Sequence, residues 1–397
     1  MKFSFQSYVV LFFISLLGFA SCKKLDDEPA REATLISRLY VSFLEYDGSG
    51  ESSIKNLMIV DPADTNDMSN IYQYLSPAKG GGPIIFDPRI KAIFQGSAGD
   101  NALQDTFIRM IPFQSDAYGI PGTAGNIGYR GFSNVRGLAY YIYSQSTGTG
   151  GTAANTEFIL AATNNGTNST LYAISSPSGK VGSRGGAKIV DKQINLGNIR
   201  PTSMTLINGT SDNDKLLVIG FNQEGSEQKP GFAIYKGLMQ ELIERPRDTI
   251  VAANRFQPAM KLYVKGKSNL GAISYAPQRK LFAVTAYSGT ASNPSAGEVL
   301  FFNDPDNLFK PDGTAERDIT ADRVVGGLQT GLVQPQSVAI DDRNEEGKFF
   351  YVSDRNTRKI SRFPLNAEGN VSPDIAPTFG NLTPNYIFLD ARSANNF

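Results

Sequence analysis

Gln336-Ser337-Val338-Ala339-Ile340-Asp341, then Lys348-Phe349-Phe350-Tyr351-Val352-Ser353-Asp354, then Lys359-Ile360-Ser361-Arg362-Phe363, is the stretch whose reading decides the fold. Three short apolar runs rich in aromatic and β-branched residues are separated by polar turns, which is the pattern of consecutive half-buried strands. The same order recurs. First strands begin at Pro83-Ile84-Ile85-Phe86-Asp87, Arg136-Gly137-Leu138-Ala139-Tyr140, Pro201-Thr202-Ser203-Met204 and Leu270-Gly271-Ala272-Ile273. Second strands follow at Lys91 to Gly96, Phe158 to Ala162, Lys215 to Ile219 and Lys280 to Val284. Third strands appear at Thr170 to Ile174, Gly231 to Tyr235 and Glu298 to Phe302. A single alternating run occurs often by chance; a run of copies in one order marks a repeat.

The two ends complete the count. Pro384 to Asp390 reads as a first strand with nothing after it, whereas Arg38 to Phe43 and Lys55 to Pro62 read as later strands with nothing before them. Joined, they predict a sixth blade. The expected fold is therefore all-β: a six-bladed β-propeller over residues 36–397, closed by pairing the N- and C-terminal strands. Such closure removes the open edge of a sheet. A large β-sandwich or two β domains is the alternative. Composition agrees with strands and turns, with 39 Gly, 21 Pro, 17 Tyr and 25 Phe. The best helical stretch, Tyr235 to Ile243, is short and stops before Pro246.

Blade-like segment 337–363 is similar to the NHL repeat, in which a first strand ending in Asp leads to a "YVAD" strand and then "N-x-R-I". Here the match is Tyr351-Val352-Ser353-Asp354, with Ser353 in place of the usual alanine, followed by Asn356 and by Thr357-Arg358-Lys359-Ile360 with its spacing shifted by one. The other copies share the rhythm alone. This resemblance implies a propeller, often of six blades.

The N-terminus carries an address. Lys2 precedes an apolar run from Tyr8 to Ala20, and Phe19-Ala20-Ser21 leads into Cys22, the single cysteine. The run is far shorter than the ~20 residues that a membrane span needs and fits a cleaved signal peptide. It resembles the lipobox of bacterial lipoproteins, which implies a signal over residues 1–21, diacylation of Cys22 and a tether over residues 22–35. Lys23-Lys24-Leu25-Asp26-Asp27-Glu28 resembles the export signals of Bacteroidota lipoproteins, implying anchorage in the outer membrane and display at the surface, with the periplasmic leaflet as the alternative. A charge run of this kind is equally the mark of a solvated linker.

Charge and residue usage exclude whole classes. Lys+Arg and Asp+Glu both number 38, so there is no basic footprint for nucleic acid. Histidine is absent. That removes the Ser-His-Asp triad, the Cys-His pair and imidazole ligation of zinc, copper or haem. Any chemistry would rest on carboxylates, Lys, Tyr or a hard cation held by oxygens. Gly148-Thr149-Gly150-Gly151 lacks the setting of a phosphate loop, and Asp304-Pro305-Asp306-Asn307 loses calcium-loop register at Leu308 and Phe309.

In a propeller the residues entering the innermost strands surround the mouth of the central channel. These are Asn134, Arg136, Arg200, Asn269, Gln336 and Asn385. They form the candidate ligand-binding set, in which Arg136 and Arg200 could clamp a carboxylate or sulfate. Asp87, Asp341 and Asp390 end the first strands, at the opposite face, in turn-making positions. The loops 113–133 and 144–155 are candidates too, with Tyr118, Tyr129 and Phe132 expected to stack on sugars or dock a protein. The combined expectation is a membrane-anchored binding or scaffolding module for an envelope protein or a glycan, with no catalytic residues, metal or cofactor. The alternative is a resemblance to propeller lactonases, which implies a divalent cation such as Ca2+ held by Glu, Asn and Asp; Asn269 and Asn385 are in place, but no Glu and Asp stand beside them. A structural subunit of an outer-membrane assembly is a third reading.

Overall fold

Each repeat copy folds into its own sheet, and the sheets stand in a ring. The computed structural model describes residues 35–46, 54–99, 105–113, 121–145, 154–166, 168–182, 190–209, 215–244 and 250–392. Blade I takes Pro384–Arg392 as its innermost strand, followed outward by Ile36–Phe43, Leu57–Val60 and Ile71–Tyr74. Blade II holds Gly81–Asp87, Ala92–Ser97, Phe107–Pro112 and Gly125–Gly128. Blade III holds Val135–Gln145, Ala154–Asn165, Asn168–Ser175 and Lys192–Asn195. Blade IV holds Ile199–Asn208, Lys215–Glu224, Glu227–Tyr235 and Met260–Val264. Blade V holds Asn269–Ala276, Leu281–Thr290, Asn293–Asn303 and Arg323–Gly326. Blade VI holds Pro335–Ile340, Phe349–Asp354 and Lys359–Pro364, edged by bridges from Ile375 and Thr378.

The fold is thus a six-bladed β-propeller, closed by the two chain ends within blade I. It is formed by the unit Ser37–Ala391. The second unit, Met1–Ile36 with Arg392–Phe397, lies almost wholly outside the described residues, as do the expected signal peptide, Cys22 and nearly all of the tether. The expected helical stretch reduces to one short turn, Gln240–Glu244.

The core lies between blades. Side chains alternate along a strand, so each blade presents one apolar face to each neighbour. Leu39, Val41 and Phe43 pack with Ala339, Tyr351 and Ile360 of blade VI, whereas Tyr40 from the same strand packs with Ile84 and Phe86 of blade II. In blade VI, Val338 and Ile340 face blade V while Ala339 faces blade I. The remaining clusters join blades II with III, III with IV, and IV with V. At the hub the inner strands come too close for side chains. A Cβ on Gly137 would lie 2.9 Å from Met204 N of blade IV, and one on Gly271 would lie 2.5 Å from Gln336 O of blade VI.

The uneven spacing of the repeats has a structural cause. In successive blades the connection from third to fourth strand reaches back to the preceding blade's outer region. Ile250–Val251 pairs in parallel with Lys192–Asn195, and Glu316–Ile319 with Met260–Val264. Gly369 N donates to Val324 O at 2.7 Å and Gly326 N donates to Gly369 O at 3.0 Å. Gly182 N donates to Asn126 O at 2.9 Å, with Val181 seated on Gly125. Arg362 of blade VI donates to the carbonyls of Ala63 and Thr65. Each lent segment satisfies or shields an edge that would otherwise stand open.

At the far end of the inner strands an Asp-x-Arg turn repeats. Asp341 accepts from Arg343 Nε at 2.9 Å and Nη2 at 2.6 Å, and Asp87 accepts from Arg89 in the same way at 3.2 and 2.6 Å. This agrees with the turn-making expected of Asp87 and Asp341. The two pairs differ in burial: the Arg343 side chain is 1% exposed and also reaches Asp64 of blade I at 2.8 Å, whereas Arg89 is 55% exposed. Arg343→Ala should therefore cost about 3–5 kcal/mol, because Asp341 is left buried and unpaired. Arg89→Ala should cost less, about 1–2 kcal/mol, because Asp87, itself 6% exposed, keeps its bonds from Arg89 N at 2.9 Å and Ile90 N at 3.4 Å. Urea unfolding of the two variants checks the contrast, and equal losses would refute it.

Asp342 beside this network accepts from Gln278 N at 2.9 Å and Arg279 N at 3.3 Å, yet burial outweighs these bonds and pushes its carboxyl up to about 6. The folded state then holds a proton that the unfolded state has released, so this group's contribution falls as pH rises from about 4 to 6. Asp342→Asn should raise stability above pH 6 by on the order of 1–2 kcal/mol and change nothing below pH 4. Melting temperatures across that range provide the check.

Candidate functional site

Every inner strand whose pairing to its neighbour is described carries a β-bulge near its N-terminal end. Pairing skips Arg136 between Val135 and Gly137, Thr202 between Pro201 and Ser203, and Gln336 between Pro335 and Ser337. In blade II it jumps from Gly81 to Ile84 and in blade V from Leu270 to Ile273. A bulge leaves a residue out of the ladder and re-aims its side chain and carbonyl. Here the bulges turn groups toward the channel.

The result is a cavity of about 350 Å³ at the mouth, lined by Arg136, Arg200, Asn269 and Gln336 of the sequence-predicted set. Asn164, Gln223, Tyr287, Arg355 and Tyr386 join them on its wall. Tyr386, 4% exposed, closes the cavity below. It packs with Ile84 of blade II and Ala272 of blade V, and its hydroxyl reaches across the hub to the bulge carbonyls of Arg136 at 3.4 Å and Thr202 at 3.3 Å, to which it donates. The mouth is therefore a cup with a floor.

Two of the expected residues serve the wall from behind. Asn134 sits in a left-handed turn at φ 55° and donates to Asn164 O, so it shapes the entry to its strand and does not line the cavity. Asn385 is fully buried. Its Nδ2 donates to Gly81 O, and its Oδ1 accepts from Arg355 Nε at 2.8 Å and Nη2 at 2.5 Å. Asn269 donates to Gly289 O at 2.9 Å, which holds the rim hairpin of blade V.

The aromatic expectation is corrected in part. Phe132 is fully buried, and Tyr129 packs on Phe132 and Tyr172 at 5.4 and 5.5 Å, because the sheet behind them needs a hydrophobic cover. Neither is an exposed stacking platform. Tyr118 lies outside the described residues, as do residues 114–120 and 146–153 of the two candidate loops.

Electrostatically the cup is one-signed. Its lining holds three arginines and no carboxylate. Among the described residues, Arg136 and Arg200 have no hydrogen-bond or ion-pair partner for their guanidinium groups, and Arg355 has only the neutral amide oxygen of Asn385. Burial pushes the Arg355 guanidinium down to about 10, and the charge of Arg136 pushes it the same way against the pull of Tyr386 and Tyr287. No group of three or more acidic, His or Cys side chains able to hold a metal occurs among the described residues.

With this geometry in place, comparison with known proteins yields fold likeness alone. No family model matches the chain, and no curated protein matches it either. Solved structures do. The Dos1 propeller aligns at 10% identity with a TM-score of 0.40, covering 87% of this chain and 71% of that one. The AztD protein of Citrobacter koseri aligns at 8% identity with a TM-score of 0.36, covering 91% and 99%. Drosophila semaphorin 2a aligns at 8% with a TM-score of 0.40, covering 88% and 68%.

The floor is testable. Tyr386→Phe removes one hydroxyl donor and should cost about 0.5–1.5 kcal/mol. Tyr386→Ala opens the hub and should cost about 3–5 kcal/mol. Chemical denaturation separates the two; similar small losses would show that the ring does not fill the channel.

Proposed function

We propose that this protein is a membrane-anchored binding module whose ligand is anionic and seats in the cup at the channel mouth. The observation that carries the reading is the lining itself: Arg136, Arg200 and Arg355 with no carboxylate among them. Cations held without counter-charge in a partly buried cleft are costly for the protein alone and favour an anion that supplies the missing charge. An acidic glycan, or an acidic segment of another envelope protein, fits that requirement.

The address supports where this happens. The lipobox-like sequence ending at Cys22 and the acidic run that follows it favour a surface lipoprotein of Bacteroidota type, and the NHL-like motif of blade VI suits a propeller used for binding. Strand Ile36–Phe43 ends beside the mouth, where Leu44 N donates to Thr383 O at 3.0 Å. It therefore begins at the opposite face.

The lactonase reading is not favoured. A hard divalent cation needs oxygen ligands with negative charge, and the cup presents guanidinium groups instead.

Arg136→Ala with Arg200→Ala should weaken binding of an acidic polysaccharide such as polygalacturonate by about 10- to 100-fold, as loss of charge-assisted hydrogen bonds predicts, with little change in melting temperature. Affinity equal to wild type in that double variant would remove the mouth as the binding site.

A further inference from the structure

Resting on the reading that the mouth takes an anion, we infer that the cup is a receptor for a hydroxylated carboxylate, a hexuronic acid either free or at the end of a glycan, with its carboxylate seated on Arg355.

Among the described residues, the four arginines with the most buried side chains meet carboxylates, whereas the half-buried Arg279 and Arg323 donate to backbone carbonyls. These are Arg38, Arg109, Arg343 and Arg362, which pair with Asp61, Asp105, Asp341 and Asp374 respectively. At Arg355 the corresponding place is taken by an amide. Nε and Nη2 both donate to Asn385 Oδ1, which fixes the plane of the guanidinium but leaves its charge uncompensated. Asn385 cannot turn its amide away without losing the bond from Nδ2 to Gly81 O. Nη1 is left without a partner among the described residues, and Arg136 lines the same cavity. A ligand carboxylate supplies the charge that an aspartate supplies in the other pairs.

Size and polarity narrow the class. The cup ends on Tyr386, so a polymer cannot thread through it, and its volume of about 350 Å³ lies at the low end for small-ligand pockets. Asn164, Gln223 and Gln336 have no side-chain hydrogen-bond partner among the described residues. Neutral amides of this kind donate to and accept from hydroxyl groups, and they contribute little to a densely charged polyanion. One acidic group among several hydroxyls is the composition of a sugar acid.

Calorimetric titration of the full-length protein tests this with galacturonate and glucuronate, the neutral hexoses galactose and glucose, and inorganic sulfate. The uronates should bind at least tenfold more tightly than either the hexoses or sulfate. Arg355→Gln should lose uronate affinity by at least tenfold while melting at or above the wild-type temperature, because an uncompensated charge has been removed. Arg355→Lys keeps the charge but not the fork, and serves if glutamine prevents folding; it too should bind uronate more weakly. Uronate affinity unchanged in the folded Arg355 variant, or sulfate matching the uronates, overturns the proposal. If no uronate binds but polygalacturonate binding still depends on Arg136 and Arg200, the sugar-acid assignment falls and the anionic mouth stands. If no anion binds at all, both fall.

Discussion

The pairing of Pro384–Arg392 with Ile36–Phe43 is the interaction on which the rest of the molecule depends. Six cores lie between six blades, and each is buried only when both of its neighbours are in place. The closing strand contributes Tyr386 to the cluster with blade II and Ile387 to the cluster with blade VI. It also bonds sideways, through Ser337 Oγ to Ile387 O at 3.5 Å and Ser353 Oγ to Asn385 O at 2.7 Å. The entropy of joining such distant ends grows only slowly with chain length, so a ring of about 350 residues closes at modest extra cost. Function is tied to the same event. Asn385 orients Arg355 and Tyr386 floors the cup, so the site exists only in the closed ring.

Closure alone leaves the outer strands open, and the chain deals with those through its longest connections. Segments at 181–182, 250–251, 316–319 and 369 each bond to the blade before their own, in the same order around the ring. Each such segment ties two blades together away from the hub, which adds contacts between neighbours that the interblade cores alone do not supply. It also accounts for the poor periodicity of the sequence. A repeat whose connection must reach a neighbour cannot keep a fixed length, because the distance and the partner strand differ from blade to blade.

Much of this was legible in the residues. Alternating apolar runs located the inner and second strands, and the mismatched ends pointed to the closed ring, because both readings rest on burial with a period of two. Four of the six candidate residues line the cup. What escaped was whatever depends on departures from periodicity. The bulges that aim Arg136 and Gln336 have no regular spacing; their trace is the Gly or Pro beside each, Gly137, Pro201, Gly271 and Pro335, which a strand interior normally avoids. Arg355 sits in a turn just past the second strand of blade VI, where the sequence shows a solvated basic residue, and only the partner Asn385 from the far end of the chain turns it inward. Tyr386 reads as one more aromatic strand residue, because nothing local reveals that its ring crosses the hub.

The two ends of the inner strands present arginine differently, and the contrast supports the proposed binding site at the mouth. At the far end, the Asp-x-Arg turns of blades II and VI hold guanidinium and carboxylate together in one short segment, so charge is cancelled as those two inner strands end. At the mouth, three arginines from blades III, IV and VI line one cavity with no carboxylate partner among the described residues. Stability alone does not select such an arrangement, since a neutral side chain at position 355 would avoid both the burial of a cation and its repulsion by Arg136. A fold that pairs Arg38, Arg109, Arg343 and Arg362 with aspartates retains this unbalanced charge at the mouth, where an anion can complete it.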